Sequence, residues 1–272
     1  MNGYSLKNMI KIKNKICLVT GGTGSLGQCL VERLIGEGAK EVRVYSRDEF
    51  KQSEMDRHIG NSRIKYWLGD ICNLERLKDA CEGVDIIFHT AAMKRMDSVS
   101  HNAAVVADVN ITGTRNVIAA GKLCELIVFV STDKAFQPSC VYGASKMIAE
   151  SIVLASKNGV VWRFGNFIGS RGSVIQIFKE QRELGLSLTV TEPDATRFVI
   201  EIEDVCNCLL SNVMIGTINY PPNLKSMTIL EIAQSIAPWS EYKIVGLREG
   251  EKLHESFNED YTSAKKIICQ KT

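Results

Sequence analysis

Lys15-Ile16-Cys17-Leu18-Val19-Thr20-Gly21-Gly22-Thr23-Gly24-Ser25-Leu26-Gly27 is the stretch that decides the fold. Its apolar first half reads as a buried strand, its glycines as a tight turn, and the pattern over 28–36 as the helix that follows. Strand, glycine turn and helix in that order form a dinucleotide fingerprint. The glycines let backbone approach a pyrophosphate, and the helix start turns unpaired N–H groups and positive potential toward it. Gly21, Thr23, Gly24, Ser25, Leu26 and Gly27 are therefore candidate cofactor contacts.

A second strand over 41–45 ends in Ser46-Arg47-Asp48, where such a fold meets the adenosine ribose. A carboxylate there takes the 2′-hydroxyl of NAD, whereas a guanidinium accommodates the 2′-phosphate of NADP. Arg47 and Lys51, with Ser46, favour NADP. Asp48 points to NAD unless it caps the helix beginning near Glu49. After a third strand over 64–68, Asp70 and Ile71 are placed to flank the adenine, and Asp70 could equally cap a helix over 73–82.

Further along, residues 126–130 read as a fully buried strand, so Ser131-Thr132-Asp133-Lys134 falls at its carboxyl end, where open parallel sheets bind ligands. The pattern turns helical at Tyr142-Gly143-Ala144-Ser145-Lys146, and the four-residue spacing puts Tyr142 and Lys146 on one face. An ammonium one turn away can lower the phenol's pKa and make it a usable base. Asp133 and Lys134 read either as an acid-base pair or as an ion pair closing the strand end.

Strand and helix patterns alternate up to a strand over 160–163, with a fourth strand over 84–88 and a helix over 101–124. That rhythm predicts parallel strands joined by right-handed crossovers. The expected fold is α/β, a doubly wound parallel Rossmann sheet with a small C-terminal substrate-binding subdomain. Residues 1–165 would form the dinucleotide domain, which also carries the catalytic residues. Residues 166–272 would form the subdomain, some segments returning to the Rossmann core. Stretches 167–198 and 216–257, with a helix over 174–184 and a strand near 188–191, are expected to cover the carboxyl ends of the strands. Arg171, Arg197 and Arg248 in them suit a phosphate-bearing substrate, or else serve as surface charges and ion pairs.

Composition narrows the function. With 272 residues and a net charge of only +2, and without a basic run interleaved with aromatics, nucleic acid is not an expected partner. The longest apolar runs are strand-sized, so no membrane span is expected, and residues 1–14 lack the apolar core of a secretory signal. Nine cysteines without ligand spacing fit a reducing, cytoplasmic compartment, with the Cys206-x-Cys208 pair packed in a core. The four histidines show no i, i+4 pairing, so no metal site is expected.

With Gly21-x-x-Gly24-x-x-Gly27 and Tyr142-x-x-x-Lys146 on the page, the chain resembles the extended short-chain dehydrogenases/reductases. More narrowly, it resembles the inverting UDP-N-acetylglucosamine 4,6-dehydratases of the polysaccharide-biosynthesis group. That resemblance is carried by Tyr45-Ser46-Arg47-Asp48-Glu49-Phe50-Lys51-Gln52, Ala91-Ala92-Met93-Lys94, Ser131-Thr132-Asp133-Lys134-Ala135, Arg163-Phe164-Gly165-Asn166, Gly169-Ser170-Arg171-Gly172-Ser173, Thr196-Arg197-Phe198 and Gly250-Glu251-Lys252-Leu253-His254-Glu255.

The resemblance implies that Tyr142 takes the proton of the sugar 4-hydroxyl while C4 gives a hydride to the nicotinamide. Lys146 would hold the nicotinamide ribose and Thr132 the 4-oxygen. Lys134 would remove the C5 proton and Asp133 protonate the departing 6-hydroxyl; the hydride returns to C6, and reprotonation from the opposite face inverts C5. As base, Lys134 must lose its own proton, through burial or a cation such as Lys146.

By the same resemblance Ala91, Ala92, Lys94 and Asn110 lie beside the cofactor, Asn110 doubling as a candidate for backbone bracing. Lys94, Asn166, Arg171, Arg197, Arg248 and Glu251 would surround the UDP moiety, and the subunits would form a homo-oligomer through helices 101–124 and 143–157. Met96-Asp97 departs from the family's apolar residue and proline. The chain is also shorter at its carboxyl end and lacks the membrane-spanning amino-terminal region of larger relatives. Retention at C5, a 5,6-unsaturated product, UDP-glucose as substrate, a UDP-sugar epimerase and a non-catalytic nucleotide-binding module stay open as alternatives.

Overall fold

The computed structural model describes residues 9–94, 100–170, 172–211 and 214–264. Six strands, β1 (Ile16–Thr20), β2 (Glu41–Ser46), β3 (Ile64–Leu68), β4 (Ile86–His89), β5 (Leu126–Thr132) and β6 (Gly159–Phe164), alternate with helices. The helices are α1 (Ser25–Gly36), α2 (Glu49–Ile59), α3 (Leu74–Cys81), α4 (Ala103–Ala107), α5 (Gly113–Ala120) and α6 (Val141–Leu154). Beyond them come β7 (Asn166–Ile168), α7 (Val174–Glu183), β8 (Leu188–Val190), β9 (Thr196–Glu201), α8 (Ile202–Leu210), β10 (Ile218–Asn219), β11 (Lys225–Thr228), α9 (Ile229–Ile236) and β12 (Tyr242–Ile244).

The large sheet runs β10-β6-β5-β4-β1-β2-β3, every pair parallel. Strand order reverses between β1 and β4, and that switch point is where a doubly wound sheet opens a crevice. Alternation along each strand feeds two layers. Val19, Val44, Phe88 and Val128 enter one core with Leu30, Val31 and Leu34 of α1, while Leu18, Ile87 and Ile127 enter the other with Leu77 and Val117. Fully buried strands explain the near-continuous apolar runs of the sequence.

The single helix expected over 101–124 is interrupted. Between α4 and α5 the chain widens into a π-helical turn, Asp108–Thr112, and Thr114 Oγ1 donates to the Asn110 carbonyl at 2.6 Å. Such turns recur at functional sites. Here it carries Asn110 into contact with the loop after β4.

Past residue 165 the chain builds a three-stranded sheet, β11-β9-β7, and a β12-β8 pair over a separate small core of Ile175, Phe178, Leu188, Val190, Val199, Ile229 and Ile232. β10 returns to pair with β6 at the edge of the large sheet. A second tie is a buried ion pair. Arg163 Nε and Nη2 bond both carboxylate oxygens of Glu150 at 2.8 and 2.7 Å, and Arg163 Nη1 reaches the Phe257 carbonyl at 2.6 Å. Glu150 Oε1 also accepts from Ser131 Oγ at 2.5 Å. The pair thus fastens α6, β5 and β6 to the segment that follows residue 250.

Removing one partner of a buried pair strands the other charge. Glu150→Ala should lower the stability of the protein by about 3–5 kcal/mol in urea melts. A loss within the range of surface substitutions would show that Arg163 finds compensation elsewhere.

Candidate active site

A cavity of about 1130 Å³ opens at the switch point and is lined from the glycine turn to the segment after residue 248. At its floor Gly21 has φ +68°, and a Cβ there would come within 2.8 Å of Ala91 Cα. A Cβ on Gly27 would fall 2.5 Å from the Gly21 carbonyl oxygen. Side chains are therefore excluded where strand, turn and helix meet. Gly24 occupies the N-cap of α1 without a side-chain cap, and the first turn has no acidic residue, which leaves the helix end able to receive an anion. Thr23, Ser25 and Leu26 complete this lining, and the cradle fits a dinucleotide pyrophosphate.

At the end of β2, Ser46, Arg47 and Lys51 line the same cavity. Asp48 acts as the N-cap of α2, accepting from Lys51 N at 3.0 Å, and its carboxylate also pairs with Lys51 Nζ at 2.7 Å. Arg47 contacts Asp70 at 3.3 Å. The alternative in which Asp70 caps the next helix is corrected, because Asn73, directly before the first helical residue, accepts from Arg76 N at 3.0 Å. Asp70 instead accepts from Cys72 N at 2.9 Å, and its neighbour Ile71 lines the cavity.

Ala91, Ala92 and Lys94 line the next stretch of wall. Buried Asn110 holds this loop, accepting from Met93 N at 2.9 Å and donating to Met93 O at 3.0 Å and Ser145 Oγ at 2.9 Å. Ser145 Oγ donates to the Tyr142 carbonyl at 2.7 Å, so the loop and α6 share one brace. Beside it, His89 is sealed between Thr20 Oγ1 at 2.7 Å and Thr114 Oγ1 at 3.0 Å. Because Thr114 gives its proton to Asn110 O, it accepts from His89 Nε2, and Nδ1 accepts from Thr20. Burial drives the imidazole pKa down to about 3, so His89 is a neutral strut between β1 and the start of α5, just after the π-turn.

The two lysines differ sharply. Lys146 Nζ donates to the Val130 carbonyl at 2.6 Å and lies 3.8 Å above the Phe129 ring centroid. Burial lowers its pKa to about 7, against the opposing pull of Glu150. Lys134 Nζ lies 3.1 Å from Asp133 Oδ1 and 3.3 Å from Glu255 Oε1. Burial alone would lower its pKa, but the two carboxylates outweigh it and hold the ammonium above its ordinary range.

This corrects the expectation that burial or Lys146 strips Lys134 of its proton. The expected effect on the phenol is also corrected. Burial raises the Tyr142 pKa to about 12, and the groups that pull it down are Lys134 and the Thr132 hydroxyl. Lys146 is committed to the strand carbonyl and the aromatic face.

Tyr142, Lys146, Thr132 and Lys134 all line the cavity, while Asp133 is fully buried beneath it, with Oδ1 accepting from Thr132 Oγ1 at 2.9 Å. Asn166, Arg197, Arg248 and Glu251 line the same cavity. Arg197 is buried, its Nη2 on Glu251 Oε1 at 2.5 Å and its Nη1 on the carbonyls of Thr196 and Leu253. Glu251 Oε2 accepts from Arg248 N at 3.2 Å. Arg171 and Met96-Asp97 lie outside the described residues.

Sequence reading assigned no role to Glu255, Glu150, Arg163 or His89. Glu150 had a signal, since it stands four residues beyond Lys146 on the same helix face. Cys206 sits in α8 and meets Cys29 of α1, Sγ to Sγ 3.4 Å, rather than acting with Cys208. Among the described residues no group of three potential ligands could hold a metal, and no helix is long and apolar enough to cross a membrane.

A parallel sheet with a glycine turn at its switch point and a Tyr-x-x-x-Lys pair across the crevice defines a short-chain dehydrogenase/reductase architecture. The family model described as polysaccharide biosynthesis protein matches residues 17–272, and the chain belongs to that family.

It is 39% identical over 259 residues to an inverting UDP-N-acetylglucosamine 4,6-dehydratase of Campylobacter jejuni, covering 89% of this chain and 76% of the relative. A UDP-glucose 4-epimerase of Rickettsia canadensis is 34% identical over 277 residues, covering 93% and 81%. Among solved structures, Pen from Bacillus thuringiensis superposes with a TM-score of 0.84 at 30% identity, over 92% of this chain and 84% of that one. The dTDP-glucose 4,6-dehydratase DesIV of Streptomyces venezuelae, solved with NAD and TYD bound, shares the fold at TM-score 0.80 and 23% identity, over 88% and 86%.

The Lys146 environment has a thermodynamic signature. Between about pH 7 and pH 10.5 the unfolded chain binds this proton and the folded one does not, so stability rises with pH across the window and the contribution is lost below it. Lys146→Met should flatten that rise by a few kcal/mol, read as the difference between urea melts at the two ends of the window. An unchanged slope would mean that Lys146 stays charged in the folded protein.

Proposed function

We propose that the protein is an NADP-dependent nucleotide-sugar dehydratase. It would convert UDP-N-acetylglucosamine to UDP-2-acetamido-2,6-dideoxy-β-L-arabino-hexos-4-ulose with inversion at C5. The observation that carries this reading is the Asp133-Lys134 pair at the end of β5, with Lys134 in the wall of the cavity that holds the glycine cradle, as Tyr142 is, and Asp133 buried behind it. The similarity to the Campylobacter dehydratase supports it. A cavity of about 1130 Å³ exceeds the usual range of about 300–1,000 Å³ for one small-molecule ligand, in keeping with cofactor and nucleotide sugar side by side. Arg47 and Lys51 favour NADP, the more so because Asp48 is spent on its helix.

In this reading Gly21, Gly24, Gly27, Ser46, Arg47 and Ile71 hold the dinucleotide. Its nicotinamide supplies a hydride acceptor for C4 that later serves as donor to C6. Tyr142 takes the 4-hydroxyl proton, its phenol eased toward ionisation by Lys134 and the Thr132 hydroxyl. Thr132 also steadies the 4-oxygen, and Lys146 holds the nicotinamide ribose.

A 4-ketone acidifies C5–H, and Lys134, as amine, takes that proton while Asp133, which receives through Thr132 the proton that Tyr142 removed, gives it to the 6-hydroxyl, which leaves as water. Proton return to C5 from the opposite face completes the inversion. Asn166, Arg197, Arg248 and Glu251 shape the nucleotide end, Arg197 through its bond to Glu251. Val105, Val141, Met147 and Ile148, exposed on α4 and α6, support a homo-oligomer formed through those helices.

The epimerases among the relatives favour a second reading, in which chemistry stops at C4. NMR of UDP-N-acetylglucosamine incubated with the NADP-loaded protein in deuterated water separates the two. Dehydration with inversion gives a 6-deoxy-4-keto product with deuterium at C5 and L-type ring couplings. A 4-epimer without deuterium at C5 would establish the second reading, and unchanged sugar would overturn both for this substrate.

A further inference from the structure

Glu255 reaches the acid-base pair from the far end of the chain. Its backbone is fixed on both sides: His254 bridges Thr196 of β9, Glu255 N donates to Ser263 Oγ at 2.8 Å, and the Phe257 carbonyl accepts from Arg163. The residue is 2% exposed yet lines the cavity. One carboxylate oxygen meets Lys134 Nζ at 3.3 Å, and the other is buried without a hydrogen-bond partner. A carboxylate held this way is poorly solvated as an anion.

Lys134 therefore stands between two unequal acceptors. Asp133 Oδ1 receives both the Thr132 hydroxyl and the Lys134 ammonium, whereas the Glu255 carboxylate receives Lys134 alone. The other ionisable groups acting on this cluster are Tyr142, Arg197 and Lys252. Arg197 is engaged by Glu251, and Lys252 Nζ donates to the Phe136 carbonyl at 2.8 Å. Burial raises the Glu255 pKa, working against the Lys134 charge, so this carboxyl is disposed to take a proton. The same carboxylates that keep Lys134 charged at rest thus include an acceptor for its proton.

We propose that Glu255 is the internal proton acceptor that turns Lys134 from ammonium into amine, so that the base of the dehydration is a Lys134–Glu255 pair. The proposal rests on the dehydratase reading. One proton passes from Nζ to the Glu255 carboxylate, converting an ion pair into an amine and a carboxylic acid with no change in net charge. The amine then takes the C5 proton and becomes ammonium again beside a protonated Glu255; a solvent proton later returns to C5 from the opposite face, and release of the Glu255 proton to water balances it and restores the ion pair. Glu255 acts through Lys134 and is a positioning residue in this scheme, not a catalytic one.

An internal transfer leaves a mark on the pH profile. In the unsubstituted enzyme, incorporation of solvent deuterium at C5 should be level across the neutral range. In Glu255→Gln, Lys134 must release its proton to water, so incorporation should be slower and should rise about tenfold per pH unit until Lys134 titrates. Glu255→Asp should restore part of the level profile. A Glu255→Gln profile parallel to the unsubstituted one would reduce Glu255 to a structural contact and overturn the proposal. So would a steep rise in the unsubstituted enzyme itself, a result that needs no variant to fold.

A third arm needs no substrate: acetic anhydride, which reacts with the amine and not the ammonium, should acetylate Lys134 at least threefold more slowly at neutral pH in Glu255→Gln, read by peptide mass spectrometry, and an equal or faster rate would show that Glu255 does not supply the amine. Absence of any C5 exchange with UDP-N-acetylglucosamine, together with slower acetylation in Glu255→Gln, would fail the dehydratase reading while leaving the Lys134–Glu255 coupling standing.

Discussion

Two ammonium groups buried at the end of one strand set the constraint on which the site depends. Removing a charge from water costs several kcal/mol unless other groups restore the lost interactions. β5 meets that cost in two different ways. Lys146 receives only a backbone carbonyl and an aromatic face, which offset burial too little, so burial brings its pKa down to about 7. Lys134 receives two carboxylates, which hold it charged. One strand end thus carries a lysine poised between its two forms and another that needs an acceptor before it can be a base.

The fold makes this arrangement possible because the pieces arrive from distant parts of the chain and are locked in place. Glu150 stands one turn beyond Lys146 and binds Arg163, which grips the Phe257 carbonyl two residues after Glu255. The same helix thereby positions Tyr142 and Lys146 and anchors the segment that completes the Lys134 environment. Across the crevice, Asn110 joins the loop after β4 to α6, and His89 joins β1 to the start of α5, just after the π-turn. The cofactor cradle and the acid-base cluster are in this way parts of one hydrogen-bonded frame.

Most of the frame could be read from local sequence. The glycine turn, the buried strand before Ser131 and the Tyr142–Lys146 spacing are short-range patterns, and the structure places them where the periodicity implies. The features that escaped the sequence depend on contacts across the chain. The π-turn at Asp108–Thr112 looks like ordinary helix until Asn110 is seen bonding to Met93 and Ser145. Asp70 is a plausible cap in sequence, and the register of α3 puts Asn73 in that place instead. The base role that the resemblance implies for Lys134 requires a lowered pKa; the raised one follows from Asp133 together with Glu255, a carboxylate delivered by the C-terminal segment.

The division of labour between Tyr142 and Lys134 is tested most directly by a single-turnover trace of Lys134→Met loaded with NADP and mixed with UDP-N-acetylglucosamine, following the near-ultraviolet absorbance of reduced nicotinamide. If Tyr142 serves C4 and Lys134 serves C5, the absorbance rises and stays high, because the sugar is oxidised and cannot lose water. A rise and decay matching the unsubstituted enzyme, with dehydrated product released, would contradict that division.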